Sequence, residues 1–560
     1  MNYKLFSYKE GENMRMRAAE AVLNIIAQSG TDTVFGYPGS AVAPIYDALF
    51  SFDKIKHVLT RGEQSAAHAA SGYAKESGKT GVCIATSGPG ATNLITGIAT
   101  AMSDSVPLIA ITGQVHSSLI GSDAFQEADI TGAANPFCKH NYLIKSADEI
   151  QSVLQEAFFI ASTGRKGPVL VDIPVNFLTE TVDLQKYKKP DIKSYKPNYK
   201  GNTLQIKRAA DCLKKAKRPL LYIGGGCCGE KASGEIRKFI KNTKIPAVST
   251  LKAVGAVGEG CLNLGMIGTH GKKCANFALS ECDTLFVAGA RIGDRSLGNA
   301  KNLNRDALCV IHVDIDPAEI GKNIKADIPV VGDIYNVMSA INEKNITLNP
   351  EKGWISSLEK MLSEEKKEFV KKENFVCPEY AIEVLNSVTD GNCIVSTEVG
   401  QNQIWTARNI KINTPRDFIT SGGLGTMGFG LPAAIGASFA GSGKDIFAIE
   451  GDASLMMSVA ELATIAQYNL DIKIILFNNN TLGMIKEYQK NHFGARYSEV
   501  FPKNPDFIAL AKAFGIEGER VSDNKDIKDA ILRAKSHRGA YFIEMCVDRD
   551  ENSLLQTAGD

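Results

Sequence analysis

The sequence predicts an α/β protein built from three doubly wound parallel-sheet domains. Three observations carry that prediction. Short runs rich in Val, Ile and Leu alternate with helix-length amphipathic or alanine-rich segments, the pattern of parallel sheets covered by helices. The alternation falls into three blocks, at 14–180, 201–345 and 376–549. The 560 residues, 44 % hydrophobic and 22 % charged with 51 Gly and 19 Pro, suit a large globular chain with several cores.

In the first block, His57-Val-Leu-Thr-Arg-Gly-Glu63 reads as a strand leading into an alanine-rich helix. Thr60-x-x-Glu63 fits a capping box at the start of that helix. Gly81 to Asn93 then reads as a strand, a glycine-rich turn and a small-residue helix, and Phe418 to Gly428 repeats the layout in the third block. Each turn offers backbone N–H groups to an anion, or simply permits close packing. Asp183 to Lys200, rich in Lys, Tyr and Pro, predicts an exposed connector between the first two blocks.

The middle block contains Leu220-Tyr-Ile-Gly-Gly-Gly226, a strand and turn that would serve a dinucleotide or merely turn, since the G-x-G-x-x-G spacing is absent. Trp354 to Lys372 predicts a charged amphipathic helix ahead of Cys377-Pro378. In the third block an apolar run ends at Gly451-Asp452, a helix with Val459, Leu462, Ala463 and Ala466 on one face follows, and a second apolar run ends at Asn478-Asn479-Asn480. This is a βαβ unit. Its right-handed crossover puts Asp452 and Asn479 together at the carboxyl edge of a sheet, where open α/β sheets bind ligands. A carboxylate, an amide oxygen and a nearby carbonyl suit Mg²⁺ holding a diphosphate, and Gly451 lets the backbone approach it. The same residues also suit a helix cap and a turn.

Composition excludes several function classes. Lys plus Arg (63) nearly balances Asp plus Glu (62), so no net field draws the molecule to nucleic acid or to an anionic membrane. No apolar run approaches the roughly 20 residues that span a bilayer. The 12 cysteines form no CxxC and no Cys/His cluster at metal-ligand spacing, which predicts free thiols and a cytoplasmic protein.

The pair Gly451-Asp452 and Asn478-Asn479, with 27 positions from Asp452 to Asn479, resembles the metal and diphosphate motif of thiamine-diphosphate enzymes. The resemblance covers nearly the whole chain and narrows to the catalytic large subunits of the acetohydroxyacid synthase family. It rests on Val34-Phe-Gly-Tyr-Pro-Gly39, Ser87 to Asn93, Asp123-Ala-Phe-Gln-Glu127, Lys139-His-Asn-Tyr142, Gly167 to Asp172, Asp314 to Lys322, Val399-Gly-Gln401, Ser421 to Gly430 and Leu482-Gly-Met484.

That resemblance implies a pyrimidine-binding, a central and a diphosphate-binding domain, and a transferase of branched-chain amino-acid biosynthesis. The transferase would decarboxylate pyruvate and ligate the two-carbon unit to a second 2-keto acid, pyruvate or 2-ketobutyrate. It implies Mg²⁺ on Asp452, Asn479 and Thr481, the last by its carbonyl. Glu63 would hydrogen-bond the aminopyrimidine ring. Val399 and Met427 would bend the cofactor, and Phe125, Gln126 and Lys139 would close over the reacting centre. Thiamine diphosphate would further contact Pro38, Gly39, Pro89, Asn93, Gly400, Gln401, Asn402, Gly425, Ala453, Ser454, Leu482, Gly483 and Met484. FAD without net redox work would lie on Gly224, Gly225, Gly226, His270, Arg291 and Asp314, with Arg165 reaching in from the first domain. Arg295 would meet the second substrate's carboxylate, a role suited to a guanidinium fork. Also implied are a homodimer or homotetramer, with Glu63 and the Mg²⁺ site from different subunits, and a regulatory small subunit.

The chain departs from the family pattern at Ser40, Gly62, His116, Thr269 and Ile292-Gly293, and in the ending Ser553 to Asp560. Tyr488 stands where biosynthetic members carry the Trp that favours 2-ketobutyrate. These departures bear on the acceptor and on the flavin. Other readings are a simple 2-keto acid decarboxylase, a pyruvate oxidase with a reactive flavin, or a catalytically silent partner subunit. A nicotinamide dehydrogenase would need the missing dinucleotide fingerprint.

Overall fold

The computed structural model describes residues 14–258, 260–297, 308–365 and 369–553. Three six-stranded sheets, each wholly parallel, form three doubly wound α/β domains. The central strands Gly81–Ala85, Leu108–Gln114 and Pro168–Pro174 are buried at every residue, because helices cover both faces; this is why they read as continuous apolar runs rather than as alternating ones.

The first and third sheets share one topology. In the first, the order is Lys56–Leu59, Thr33–Gly36, Gly81–Ala85, Leu108–Gln114, Pro168–Pro174, His140–Leu143. In the third it is Phe418–Ile419, Cys393–Thr397, Asp445–Gly451, Ile472–Asn478, Tyr541–Cys546, Glu517–Val521. Counted in chain order, both read second, first, third, fourth, sixth, fifth. The direction of winding reverses between the first and third strands, and ligand crevices open at such points. Pro38-Gly39 and Ser87 to Asn93 follow the two strands flanking the reversal in the first domain; Glu398 to Asn402 and Asp452 follow those in the third.

The middle sheet is ordered Asn263–Met266, Ala247–Ser249, Pro219–Ile223, Thr284–Ala288, Cys309–Asp314, Ile328–Val331, the third-second-first-fourth-fifth-sixth order of dinucleotide-binding folds. Its reversal lies between Pro219–Ile223 and Thr284–Ala288, beside Gly224–Gly226 and Arg291. Topology thus supplies the crevice that the glycine spacing did not announce.

The helices Glu63–Ser77 of the first domain and Gly430–Ser438 of the third pack backbone to backbone at Gly72 and Gly436, and their apolar faces merge into one core with Phe35, Tyr73 and Phe429. Asp104 ties the three domains together. Its buried carboxylate pairs with Lys75 at 2.8 Å and with Lys252 of the middle domain at 3.4 Å, and accepts the Gly423 N–H of the third at 2.9 Å.

The first domain closes with an antiparallel pair, Met14–Arg17 and Thr181–Leu184, so its last strand ends beyond residue 180. The helix expected from Trp354 runs over Trp354–Glu364, docked by the Trp354 indole N–H on the Pro219 carbonyl at 3.2 Å. Part of the expected stretch, 366–368, and the ending 554–560 lie outside the described residues. Among the described residues no helix is long and apolar enough to cross a membrane, and no three His, Cys, Asp or Glu cluster as metal ligands. All twelve cysteines are free thiols.

Candidate active site

In the third domain, three adjacent strands deliver three helix N-termini to one place. Cys393–Thr397 leads to the helix Gln401–Asn409, Asp445–Gly451 to Asp452–Met456, and Ile472–Asn478 to Gly483–His492. Their unpaired N–H groups and aligned dipoles favour a polyanion at this edge. Asp452 is not the cap of its helix; Gly451 holds that position. The Asp452 Oδ1 accepts the Ala453 N–H at 2.9 Å and its Oδ2 accepts the Asn504 amide at 2.7 Å, while the N–H groups of Asn480 and Thr481 also face it. Burial raises this carboxyl above the ordinary range and those donors pull it back. Asn479 is buried beside it and donates to Gln401 Oε1 at 2.9 Å, and its Oδ1 accepts the Thr481 N–H at 3.1 Å. Asp452, Asn479 and Thr481 therefore sit together as an all-oxygen set of the kind Mg²⁺ takes.

Gln401 connects this set to Glu551 and, through Glu487, to Ser553. Its Nε2 donates to Glu487 Oε1 at 2.7 Å and to the Glu551 carbonyl at 2.9 Å, and Ser553 Oγ donates to Glu487 Oε2 at 2.8 Å. Gly483 fits against Gln401 because a Cβ there would collide with the Gln401 amide. Gly400, Asn402, Gly451, Ala453, Ser454, Leu482 and Met484 flank the same edge; Asn402 donates to the Ile449 carbonyl at 3.0 Å and Ser454 Oγ to that of Gly451 at 3.2 Å. Val399 is half-buried, and a Cβ on Gly425 would lie 4.0 Å from its Cγ1, which brings the 399 and 425–427 segments together with Met427 half-buried.

Two buried carboxyls underlie these segments. Glu398 accepts the N–H groups of Gly428, Phe429 and Gly430, and Glu450 lies against it without a donor of its own among the described residues. Burial pushes Glu398 up to about 7, opposed by those N–H groups. Burial and then the Glu398 charge hold Glu450 well above the carboxylate range, so the proton of the pair belongs on Glu450.

In the first domain the capping-box expectation fails. The helix begins at Glu63 with Gly62 as its cap, and Thr60 Oγ1 donates instead to the Gly62 carbonyl at 3.0 Å. Glu63 is free of a capping duty and half-buried; its Oε2 accepts the Asn93 amide at 3.0 Å. Pro38 and Pro89 are exposed on the neighbouring turns, beside Gly39. Gln126 takes φ 61° and lies over the turn, where a Cβ on Gly88 would come within 2.8 Å of its carbonyl oxygen, while Phe125 is 88 % exposed. Lys139 points elsewhere: its ammonium donates to the carbonyls of Ile160 and, at 2.9 Å, Thr163, and to Tyr195 Oη at 2.9 Å. Burial, then Arg165, push it down to about 8. Among the described residues no hydrogen bond or ion pair joins the Glu63 cluster to the Asp452 cluster within one chain.

The middle crevice gathers Gly224–Gly226, Arg291 and Asp314 at the carboxyl ends of its strands. Gly224 is required by packing, since a Cβ there would collide with the Gly289 carbonyl. Asp314 is buried and pushed up to about 6 by that burial; its Oδ1 accepts the Asp316 N–H at 2.9 Å. Arg165 reaches across from the first domain to Asp316 at 3.0 Å and Glu319 at 2.6 Å. His270 has a buried Nδ1 without a partner among the described residues, and burial, then Arg295, lower its pKa. Arg295 is exposed on the four-residue helix Asp294–Leu297. Tyr488 is 55 % exposed on the helix Gly483–His492, its ring 4.4 Å from that of His492.

Sequence reasoning missed Glu398, Glu450, Glu487 and Asn504. A signal existed for two of them: Glu398 directly follows the buried strand Cys393–Thr397 and Glu450 interrupts Asp445–Gly451, and an acid at such a buried position needs a reason.

The sequence matches three families in chain order: the thiamine pyrophosphate enzyme N-terminal TPP binding domain over 16–133, the central domain over 206–341 and the C-terminal TPP binding domain over 398–545. A probable acetolactate synthase large subunit of Methanocaldococcus jannaschii is 44 % identical over 556 residues, covering 96 % of this chain and 93 % of its own. Acetolactate synthase isozyme 2 large subunit of Escherichia coli is 42 % identical over 539 residues, covering 96 % of both chains. The acetolactate synthase large subunit of Cyanidium caldarium is 42 % identical over 569 residues, with 99 % of this chain and 96 % of its own covered.

Proposed function

The chain belongs to the thiamine pyrophosphate enzyme family, among its acetolactate synthase large subunits, and from that premise we propose how its residues divide the work. Bound thiamine diphosphate supplies the electron sink that lets a 2-keto acid lose CO₂. The cradle at the edge of the third sheet holds the diphosphate, and Asp452, Asn479 and Thr481 hold Mg²⁺; the oxygen donors at that edge suit such an ion. Val399 and Met427 bracket the cofactor between its two ends. Glu63, shielded on one oxygen by Asn93, exchanges a proton with the aminopyrimidine ring.

The observation that carries this reading is the meeting of Asp452 with the Asn479–Thr481 turn beneath three helix N-termini. The family resemblance implies that the complete site takes Glu63 from a second copy, as a homodimer or a pair of dimers, and among the described residues no hydrogen bond joins Glu63 to that edge within one chain. Relatives are named large subunits, which implies a smaller partner. FAD fits the middle crevice in a holding role: the strand order suits a dinucleotide, Asp314 offers a buried oxygen for a ribose hydroxyl, and His270 Nδ1 has no partner among the described residues. Arg295 meets the second substrate's carboxylate, and the acceptor is pyruvate, giving 2-acetolactate, or 2-ketobutyrate. The free thiols suit a reducing, cytoplasmic setting.

The deciding experiment incubates the purified protein with pyruvate, thiamine diphosphate and Mg²⁺ and quantifies acetolactate against acetaldehyde, acetyl phosphate and CO₂. Acetolactate at about one per CO₂ is expected from a carboligase that releases no aldehyde. Acetaldehyde or acetyl phosphate as the main product would replace carboligation with decarboxylation or oxidation.

A further inference from the structure

Glu398 precedes Val399 and is fully buried, yet its carboxylate is spent on a different segment. Oε2 accepts the Gly428 N–H at 2.8 Å and the Phe429 N–H at 3.2 Å, and Oε1 accepts the Gly430 N–H at 2.9 Å. These donors open the helix Gly430–Ser438, where N–H groups lack partners within the helix and the dipole favours an anion. Phe429, the cap residue, has no side chain able to satisfy them. The backbone N–H of Glu398 donates to the Ile449 carbonyl at 3.1 Å, on the strand that leads to Asp452.

One side chain therefore joins the segment carrying Val399 to the segment carrying Met427, with its own backbone fixed to the strand beneath the metal edge. The fit leaves no slack: a Cβ on Gly430 would lie 2.7 Å from the Glu398 nitrogen and 2.9 Å from Glu450 Oε1. A local Ser or Asp at the cap would satisfy the same donors with far less desolvation. What a local cap would not do is hold two separate segments at a fixed spacing.

We propose that Glu398 is a positioning residue for the carboligation: through the Gly428–Gly430 amides it sets the spacing of Val399 and Met427, and so the shape in which the cofactor is held. Glu398 itself touches neither cofactor nor substrate. The inference rests on the reading that Val399 and Met427 bracket the cofactor.

The test compares wild type with Glu398→Gln and Glu398→Asp in the assembled, cofactor-loaded enzyme. Gln keeps the size but turns an amide N–H₂ toward one of the N–H donors; Asp keeps the charge but falls short by a methylene. Measured are kcat per loaded site, KM for pyruvate, calorimetric affinity for thiamine diphosphate with Mg²⁺, and the near-ultraviolet circular dichroism of the bound cofactor. For Gln, kcat is expected to fall roughly 10- to 100-fold, with KM and cofactor affinity within about 3-fold of wild type and an altered cofactor dichroism. Asp is expected to lie between. Unchanged kcat per loaded site in a folded Gln variant overturns the proposal, as does a loss that only follows cofactor affinity. Should Gln fail to fold, the same readings on Asp decide in the same way. If wild type makes no acetolactate, the functional reading has failed, and that outcome is visible before any variant is measured.

Discussion

The Asn93 amide donates to Glu63 Oε2 at 3.0 Å, from a short helix that follows Gly81–Ala85, which is separated from Lys56–Leu59 by one strand of the same sheet. One carboxylate oxygen is thereby fixed, and the other, Oε1, is left on the side of the Gly90 turn, where a Cβ would approach it to 3.3 Å. Glu63→Gln should lose roughly 10²–10⁴-fold in turnover while still binding thiamine diphosphate, because it removes one acid–base partner and little else. Asn93→Ala should lose less, about 10-fold, since the carboxylate remains but is no longer oriented. Steady-state kinetics on loaded enzyme separate the two; near-normal turnover of Glu63→Gln would remove Glu63 from the chemistry.

Asp452 offers a second check, independent of turnover. Asp452→Ala should abolish the Mg²⁺-dependent part of cofactor binding, since it deletes the only charged oxygen of the proposed ligand set. Asn504→Ala, which removes the 2.7 Å amide contact to Asp452 Oδ2, should weaken that binding roughly 10-fold, in keeping with loss of an outer-shell partner. Titration calorimetry with and without Mg²⁺ reads both, and an unchanged Mg²⁺ dependence in Asp452→Ala would dismiss the metal assignment.

Asp104 sets a pH limit on how the domains hold together. Burial alone would raise its carboxyl, but Lys252 and Lys75 outweigh burial and bring it from the ordinary 3.8 down to about 2. Its partner responds the opposite way: burial pulls Lys252 down to about 8, so the ammonium is held at a cost. The carboxylate, with two ammonium groups and backbone N–H donors around it, is where the pH linkage is read most directly. A depressed acid stabilises the fold above its unfolded pKa and loses that contribution as pH falls through the folded value, here between about pH 4 and pH 2. The gain is on the order of 2 kcal/mol at neutral pH. Asp104→Asn should cost about 3–5 kcal/mol, leaving two buried cations under-paired, and should flatten the pH dependence of denaturant midpoints across that window. A wild-type midpoint that ignores pH between 4 and 2 would contradict it.

Much of this was legible in the sequence. The strands were, because parallel strands buried on both faces must be apolar throughout, as Leu108–Gln114 and Ile472–Asn478 nearly are. The meeting of Asp452 with Asn479 followed from the hand of one crossover. The middle crevice was not legible, because it comes from strand order rather than from a glycine spacing. The helix beginning at Glu63 was legible but its cap was not: Thr60-x-x-Glu63 has the letters of a capping box, yet Thr60 turns its hydroxyl to the Gly62 carbonyl. Lys139 was matched to a role by resemblance, and in one chain its ammonium is committed to Ile160, Thr163 and Tyr195. Lys139 belongs to no crossover whose hand would announce its partners 21, 24 and 56 positions away, as the crossover from Asp452 to Asn479 did.

The crossing of the first and third domains depends on two glycines. A Cβ on Gly436 would collide with the Ala69 carbonyl and reach 2.8 Å from the Tyr73 nitrogen, and one on Gly72 would collide with the Ala433 carbonyl. Ala improves an isolated helix by about 1 kcal/mol over Gly. At Gly436 the obstruction is backbone, which cannot step aside, so Gly436→Ala should still destabilise by about 1–3 kcal/mol. Gly234, exposed in the helix Glu230–Thr243 with nothing within 4 Å of an added Cβ, is the matched control, and Gly234→Ala should stabilise by about 0.5–1 kcal/mol. Opposite signs in chemical denaturation are the expected result; a stabilised Gly436→Ala would mean the two helices do not touch.

Tyr488 is the residue through which the proposed acceptor preference is tested. Its helix starts at Gly483, on the proposed cofactor edge, and its ring is tilted against His492 at 4.4 Å and lies edge-on to Phe493 at 5.8 Å. At 55 % exposure it has room for a larger ring. 2-Ketobutyrate differs from pyruvate by one methylene, and a wall that packs against that methylene is worth about 1–3 kcal/mol of discrimination. Tyr488→Trp, which extends the flat apolar wall, should raise the ratio of 2-aceto-2-hydroxybutyrate to 2-acetolactate by roughly 10-fold in a competition assay, with total turnover little changed. If the ratio stays fixed while turnover holds, Tyr488 does not line the acceptor pocket, and the preference is set by groups nearer Arg295.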